Sequence, residues 1–137
     1  MATNEVPPQL LRAMPVLQVA DVRASVEFYT QKLGFGSHGF WGDGPDFCIV
    51  QRGAVTIALD RGQDGSVPLN QYWAAYVYVA DADDLCAEFK AKGVEIVRGP
   101  EDTEYGCRDF DVRDHDGHLI AFGEDLNPGK GDRPGLG

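Results

Sequence analysis

What this chain has little of narrows its function before any motif is found. It carries 12 basic residues against 22 acidic ones, a formal net charge of −10, so its surface repels nucleic-acid phosphates and anionic membranes and attracts cations. It has three cysteines, Cys48, Cys86 and Cys107. They form no C-x-x-C pair, which argues against a zinc cage or a disulfide framework and reads as reduced packing residues. No apolar run approaches the roughly 20 residues of a membrane-spanning helix. Met1 to Gln9 is polar, contains proline and lacks the apolar core of a signal peptide. The expected location is therefore the cytoplasm, with neither nucleic acid nor membrane as partner. What remains is 137 residues of ordinary globular composition, 43% hydrophobic, enough for one domain or two small modules packed together.

The chain repeats itself weakly. Val19-Ala20-Asp21 recurs as Val79-Ala80-Asp81. Each copy is followed by a helical pattern, Val22, Val26 and Tyr29 in the first and Leu85 and Phe89 in the second. Asp21, and Asp81 or Asp83, stand where N-caps belong, and each helix stops at a glycine, in Leu33-Gly34-Phe35 and Lys92-Gly93-Val94. A strand precedes each helix, Pro15 to Val19 and Ala74 to Val79. Three short runs follow: Phe35 to Trp41, Phe47 to Arg52 and Val55 to Asp60, then Val94 to Arg98, Cys107 to Arg113 and Leu119 to Gly123. The spacing predicts an arm over 1–13, modules over 14–61 and 74–124, a linker over 62–73 and a Pro/Gly-rich tail over 125–137.

Several segments together resemble a known family. They are Val19-Ala20-Asp21, Ser25-Val26-Glu27-Phe28-Tyr29 and Leu33-Gly34-Phe35 in the first module. In the second they are Tyr105-Gly106-Cys107-Arg108-Asp109-Phe110 and Asp114-His115-Asp116-Gly117-His118. In order and spacing these resemble the vicinal-oxygen-chelate superfamily of glyoxalases, bleomycin resistance proteins and extradiol dioxygenases, most closely its bleomycin resistance proteins. His115 stands where that family usually has proline. The resemblance implies an α+β fold of two tandem βαβββ modules, forming a cupped, barrel-like sheet with helices outside. It also implies a homodimer whose pocket is built from modules of different chains.

The family's enzymes hold a metal through four residues, usually His or Glu, one on each of four strands. By the resemblance those places fall on Met14, Ala58, Ala74 and Ala121, none able to hold a divalent ion in the usual way. Asp60 and Gln18 are the only near neighbours that could ligate, and two are too few. The expectation is no metal, no cofactor and no catalytic residue.

Strand parity then separates two faces. Leu17, Val19, Val55, Ile57, Leu59, Val77, Val79, Ile120 and Phe122 should pack under the helices. The opposite face holds Met14, Val16, Gln18, Thr56, Ala58, Asp60, Ala74, Tyr76, Tyr78, Leu119, Ala121 and Gly123. Small residues beside tyrosines leave room there for a flat guest. Phe40, Trp41, Phe47, Tyr72, Trp73 and Tyr105 lie at strand ends or in loops, and Trp41 and Trp73 adjoin polar segments from which either could stack on a planar group. Asp43, Asp46, Asp60, Asp109 and Asp111 could add negative potential, although individually each reads as a solvated or turn-forming residue. His115 and His118 flank a turn and should face solvent or stack on a strand end, while His38 stands in a glycine-rich strand.

The expected ligand site is therefore Phe40, Trp41, Phe47, Thr56, Asp60, Trp73, Tyr76, Tyr78, Tyr105 and Asp109. The expected function is metal-independent sequestration of a small, cationic, planar molecule. The alternatives are a glyoxalase- or lyase-like enzyme with non-standard ligands and an antibiotic-sensing binding module.

Overall fold

The computed structural model describes residues 7–42 and 45–128. Asp43, the first six residues of the arm and the tail from residue 129 onward lie outside the described residues.

Each helix is bounded by the residues expected to bound it. Helix α1 spans Val22–Gln31, and the Asp21 carboxylate accepts the Ala24 N–H at 3.1 Å. Helix α2 spans Ala82–Ala91 and is capped in the same way by Asp81, which accepts from Asp84 N–H at 3.0 Å. Of the two candidate caps in the second copy, Asp81 is the one used. Beyond α1 the backbone turns through Gly34 at φ 78, a left-handed conformation that glycine alone adopts without strain, and Phe35 N–H reaches back to the Tyr29 carbonyl.

Among the described residues eight strands complete the repeat: β1 (Val16–Val19), β2 (Gly36–Trp41), β3 (Phe47–Arg52), β4 (Val55–Arg61), β5 (Ala75–Val79), β6 (Ile96–Asp102), β7 (Cys107–Arg113) and β8 (Leu119–Asp125). They form two four-stranded sheets with the same connectivity, β1-β4-β3-β2 and β5-β8-β7-β6. The fold is α+β, with two βαβββ units whose sheets are cupped but not closed into a barrel. Strand β6 runs four residues past the expected Arg98, through Gly99-Pro100. That dipeptide reads as a stop, yet proline is tolerated on an edge strand, where β6 lies.

The parity reading holds. Leu17, Val19, Ile57, Leu59, Val77, Ile120 and Phe122 join one core cluster with Tyr29, Leu33, Phe89 and Phe110, and Val55 and Val79 pack against it. Ala58 and Ala121 are buried outside that cluster. Ala74 departs from the expectation: it precedes β5 and packs against the core.

Polar contacts tie the two units together. Tyr29 donates its hydroxyl proton to Asp114 at 2.7 Å, Ala20 N–H donates to Asp116 at 3.0 Å, and Arg52 makes a two-pronged pair with Glu88 at 2.8 and 3.0 Å. His118 corrects the sequence reading: it is buried, with Nε2 donating to the Gln18 carbonyl at 2.6 Å. The turn carrying it packs on the other unit, 100 residues away in the chain, which its local sequence does not encode. His115 is exposed. No helix among the described residues is long and apolar enough to cross a membrane.

Candidate functional site

Strand β7 organises the open face of the second sheet. Its Phe110 and Val112 enter the core, so the alternate residues Asp109 and Asp111 share the opposite face. Neither is solvated. Asp109 is 0% exposed and Asp111 5%, which corrects the reading of them as surface carboxylates. Burying two carboxylates is tolerable only if each is paired and hydrogen-bonded. Arg98, opposite Asp111 on β6, serves both: its Nε lies 3.0 Å from Asp111 Oδ2, and one terminal nitrogen reaches Asp109 Oδ1 and, at 3.1 Å, Asp111 Oδ1.

Aromatic donors take the remaining lone pairs. Tyr76 donates to Asp109 Oδ2 at 2.8 Å, Tyr105 donates to the same oxygen, and Trp73 Nε1 donates to Asp111 Oδ1 at 3.1 Å. Burial, with the acceptor Asp109 beside them, raises both phenols. Tyr105 is pushed up to about 12 and Tyr76 is held well above the usual tyrosine range, so both stay protonated donors. Hydrogen bonding to Asp111 raises Arg98 in turn.

The result is a group of four rings, three of them held from beneath by hydrogen bonds. Trp73 and Tyr76 centroids lie 4.9 Å apart, Tyr76 and Tyr78 5.1 Å, and Tyr105 lies within 6.4 Å of both Trp73 and Tyr76. Tyr78 is 50% exposed and Tyr105 and Trp73 are also open to solvent. Four expected site residues and Asp109 are thus brought together. Arg98 was missed. The signal that could have found it was the alternation Asp109-Phe110-Asp111-Val112, which commits two carboxylates to one face and demands a cation from a neighbouring strand.

The first sheet holds a separate and looser group. Trp41, Phe47 and Asp60 are aligned across β2, β3 and β4, with Trp41 and Phe47 centroids 5.6 Å apart. Thr56 lies at the other end of that face, beside a hollow of about 370 Å³ that also takes in Arg12, Met14, His38 and Gln51. There His38 Nε2 and Gln51 Oε1 are 2.7 Å apart. Phe40 does not belong to the open face. It is aligned with Cys48 and Leu59, whose side chains are buried under α1, and Arg23 of α1 stands 4.8 Å from its ring centre. A register shift between Ser37 and Phe40 breaks the alternation by which the sequence would have placed it.

A cavity of about 620 Å³ lies on the helix-bearing side, between the β3–β4 turn and α2.

The places that resemblance assigns to a metal do not fit one. Ala58 aligns with Val16 and Ala121 with Tyr76, and their methyl groups, with Ala74 and the Met14 thioether, supply no ligand set. Gln18 and Asp60 do stand side by side. Among the described residues no group of three or more His, Cys, Asp or Glu is placed to hold an ion.

The family model described as Glyoxalase/Bleomycin resistance protein/Dioxygenase superfamily matches residues 10–122. The chain belongs to this superfamily. An uncharacterized protein of Mycolicibacterium smegmatis is 32% identical over 109 residues, 80% of this chain and 89% of its own length. Among solved structures of the superfamily's fold, the bleomycin-binding protein from bleomycin-producing Streptomyces verticillus, complexed with copper(II)-bleomycin, is 28% identical with a TM-score of 0.61. That match covers 84% of this chain and 96% of that one. Lactoylglutathione lyase from Agrobacterium tumefaciens has a TM-score of 0.69 at 18% identity, covering 90% of this chain and 99% of that one, and its likeness is one of fold.

Proposed function

We propose that this protein binds, without converting it, a small cationic molecule bearing a planar aromatic group, and that the planar group lies against Trp73, Tyr76, Tyr78 and Tyr105. The observation that carries this reading is the anchoring of Trp73, Tyr76 and Tyr105 by buried Asp109 and Asp111. Rings held from beneath by hydrogen bonds lose little freedom when a guest stacks on them. Asp109, Asp111 and Glu101, which lies 3.0 Å from the same guanidinium, leave that cluster with two negative charges (−3 + 1 = −2), and the chain as a whole carries −10. Both favour a cation. Similarity to a bleomycin-binding protein supports the same class of ligand. Trp41, Phe47 and Asp60 would form the second half of the site.

The reading includes a homodimer in which a second copy covers the open sheet faces, where Val16, Trp41, Tyr78 and Tyr105 are exposed. Sedimentation velocity tests this part, with a monomer at micromolar concentration as the contrary result.

The decisive experiment is titration of the protein with bleomycin and a panel of cationic, neutral and anionic aromatic compounds. Cationic aromatics should bind best and weaken as salt screens the surface. Trp73→Phe keeps a ring but loses its bond to Asp111, whereas Trp73→Ala removes the platform. Alanine should cost about 1–3 kcal/mol of affinity, by analogy with base-on-aromatic stacking. Equal affinity in Trp73→Ala, measured on folded protein, would remove this surface from the site. A stoichiometric divalent metal in the purified protein, removable together with lyase or dioxygenase turnover, would favour the enzymatic alternative.

A further inference from the structure

The two units meet at two seams built from corresponding parts but filled differently. At one seam the β7–β8 turn, residues 114–118, wedges against α1 and the end of β1. Asp114 accepts from the Tyr29 hydroxyl, Asp116 from Ala20 N–H, and His118 donates to Gln18. At the other seam the corresponding β3–β4 turn faces α2 and the end of β5. Between Arg52 and Val55 it has only Gly53 and Ala54, so it is three residues shorter (5 − 2 = 3).

The cavity of about 620 Å³ opens beside that shorter turn. Its wall carries Leu33, Phe35, Val55, Val79, Leu85 and Phe89. Phe89 stands eight residues after its N-cap Asp81 (89 − 81), as Tyr29 stands eight after Asp21 (29 − 21). The hydroxyl that reaches Asp114 at the first seam thus has no counterpart at the second. An apolar space of this kind holds water poorly and takes apolar guests, and its volume falls within the range of small-molecule pockets.

The mouth is polar and of one predominant sign. Arg52 is held by Glu88 and by the Leu33 carbonyl at 2.9 Å, and Asp81 and Asp84 stand on the same rim. Three carboxylates against one guanidinium leave two negative charges there (−3 + 1 = −2). A guest would therefore enter with its hydrocarbon part and keep a cationic end at the rim.

We propose that this seam cavity is a second ligand site, sharing only Tyr78 with the aromatic face of the second sheet, and that it takes a small apolar amine. The apolar body lies against Val55, Val79 and Leu85, the half-buried part of that wall, and the ammonium group faces Asp84 and Glu88.

The test uses the full chain labelled with nitrogen-15 and three probes of similar shape: phenethylamine, phenethyl alcohol and hydrocinnamate. Phenethylamine should shift the amides of Ala54, Val55 and the stretch Val79 to Leu85, leave those of Trp73 and Tyr105 in place, and bind about tenfold more tightly than hydrocinnamate. Leu85→Trp fills the cavity from α2 and Val55→Phe fills it from β4. Each should weaken phenethylamine binding about tenfold or more, and melting temperatures show which of the two retains the fold. The proposal is overturned by absence of shifts at these amides with millimolar phenethylamine, by equal binding of the carboxylate, or by undiminished binding in a folded filling variant. Shifts confined to Trp73 and Tyr105 would also overturn it, by assigning the amine to the aromatic face.

Discussion

Tyr76 lies directly over Gly123. A side chain beginning at residue 123 would overlap the Tyr76 hydroxyl and come within 2.6 Å of the ring carbon that bears it. Glycine is therefore what lets Tyr76 lie flat enough on β8 to reach Asp109 at 2.8 Å. Gly123→Ala should push the ring away and break that bond, at about 1–3 kcal/mol for overpacking. Urea unfolding and the near-ultraviolet dichroism of the tyrosines measure it together. An unchanged midpoint with an unchanged aromatic signal would mean that the ring is not held as described.

Arg98 pairs with two buried carboxylates at once, and with exposed Glu101 as well, so its removal should be costlier than the removal of either buried acid. Arg98→Met leaves Asp109 and Asp111 buried without a cation and should destabilise the fold toward the lower end of about 3–5 kcal/mol, because the Arg98 side chain is itself 30% exposed. Adding Asp109→Asn and Asp111→Asn to Arg98→Met should restore part of that loss. Additive losses in the triple variant would show that the three residues do not act as a unit.

Three of the five tyrosines, Tyr29, Tyr76 and Tyr105, have hydroxyls held above the ordinary value of 10.0. A raised folded value means that protonated tyrosine favours the fold. This contribution is whole below pH 10, where even the unfolded chain keeps its phenols protonated, and is lost as pH climbs through the raised values, about 12 for Tyr105. Stability should therefore fall steeply above pH 10, and spectrophotometric titration should show these three tyrosines ionising in a cooperative rise that accompanies unfolding. Independent titration of all three near the ordinary value would contradict the network.

Asp114 joins the two units by accepting from the Tyr29 hydroxyl and from the backbone N–H groups of Asp116 and His118. Burial raises its carboxyl above 3.8, so its protonated form is the one the fold prefers. Its contribution is full below that value and declines as pH rises through the raised one. Asp114→Asn keeps an acceptor without the charge and should be nearly neutral at pH 7. Asp114→Ala strands the Tyr29 hydroxyl in the core and should cost about 1–3 kcal/mol. Thermal melts of both variants across pH decide it. An asparagine variant as unstable as the alanine one would mean that the charge itself is needed.

Local periodicity and the chain's weak repeat determined much of this protein. The caps at Asp21 and Asp81, the alternation that sends Leu17, Ile57 and Phe122 inward, and the two-unit α+β order all follow from contacts a few residues apart or from side-chain period. Tyr76 and Tyr78 could be nominated as site residues for the same reason, since small neighbours and strand parity set them on an open face, and Trp73 and Tyr105 from their places at strand ends or in loops. Tertiary structure alone decided what those residues do to one another. Arg98 meets Asp109 and Asp111 because β6 lies beside β7, His118 is buried because its turn docks on a strand 100 residues distant, and Phe40 changes face at an irregularity in β2. The seam cavity exists because two turns of unequal length occupy equivalent places. Each of these is set by which segments become neighbours in space, and pairing over such distances in the chain leaves no periodic mark in the sequence.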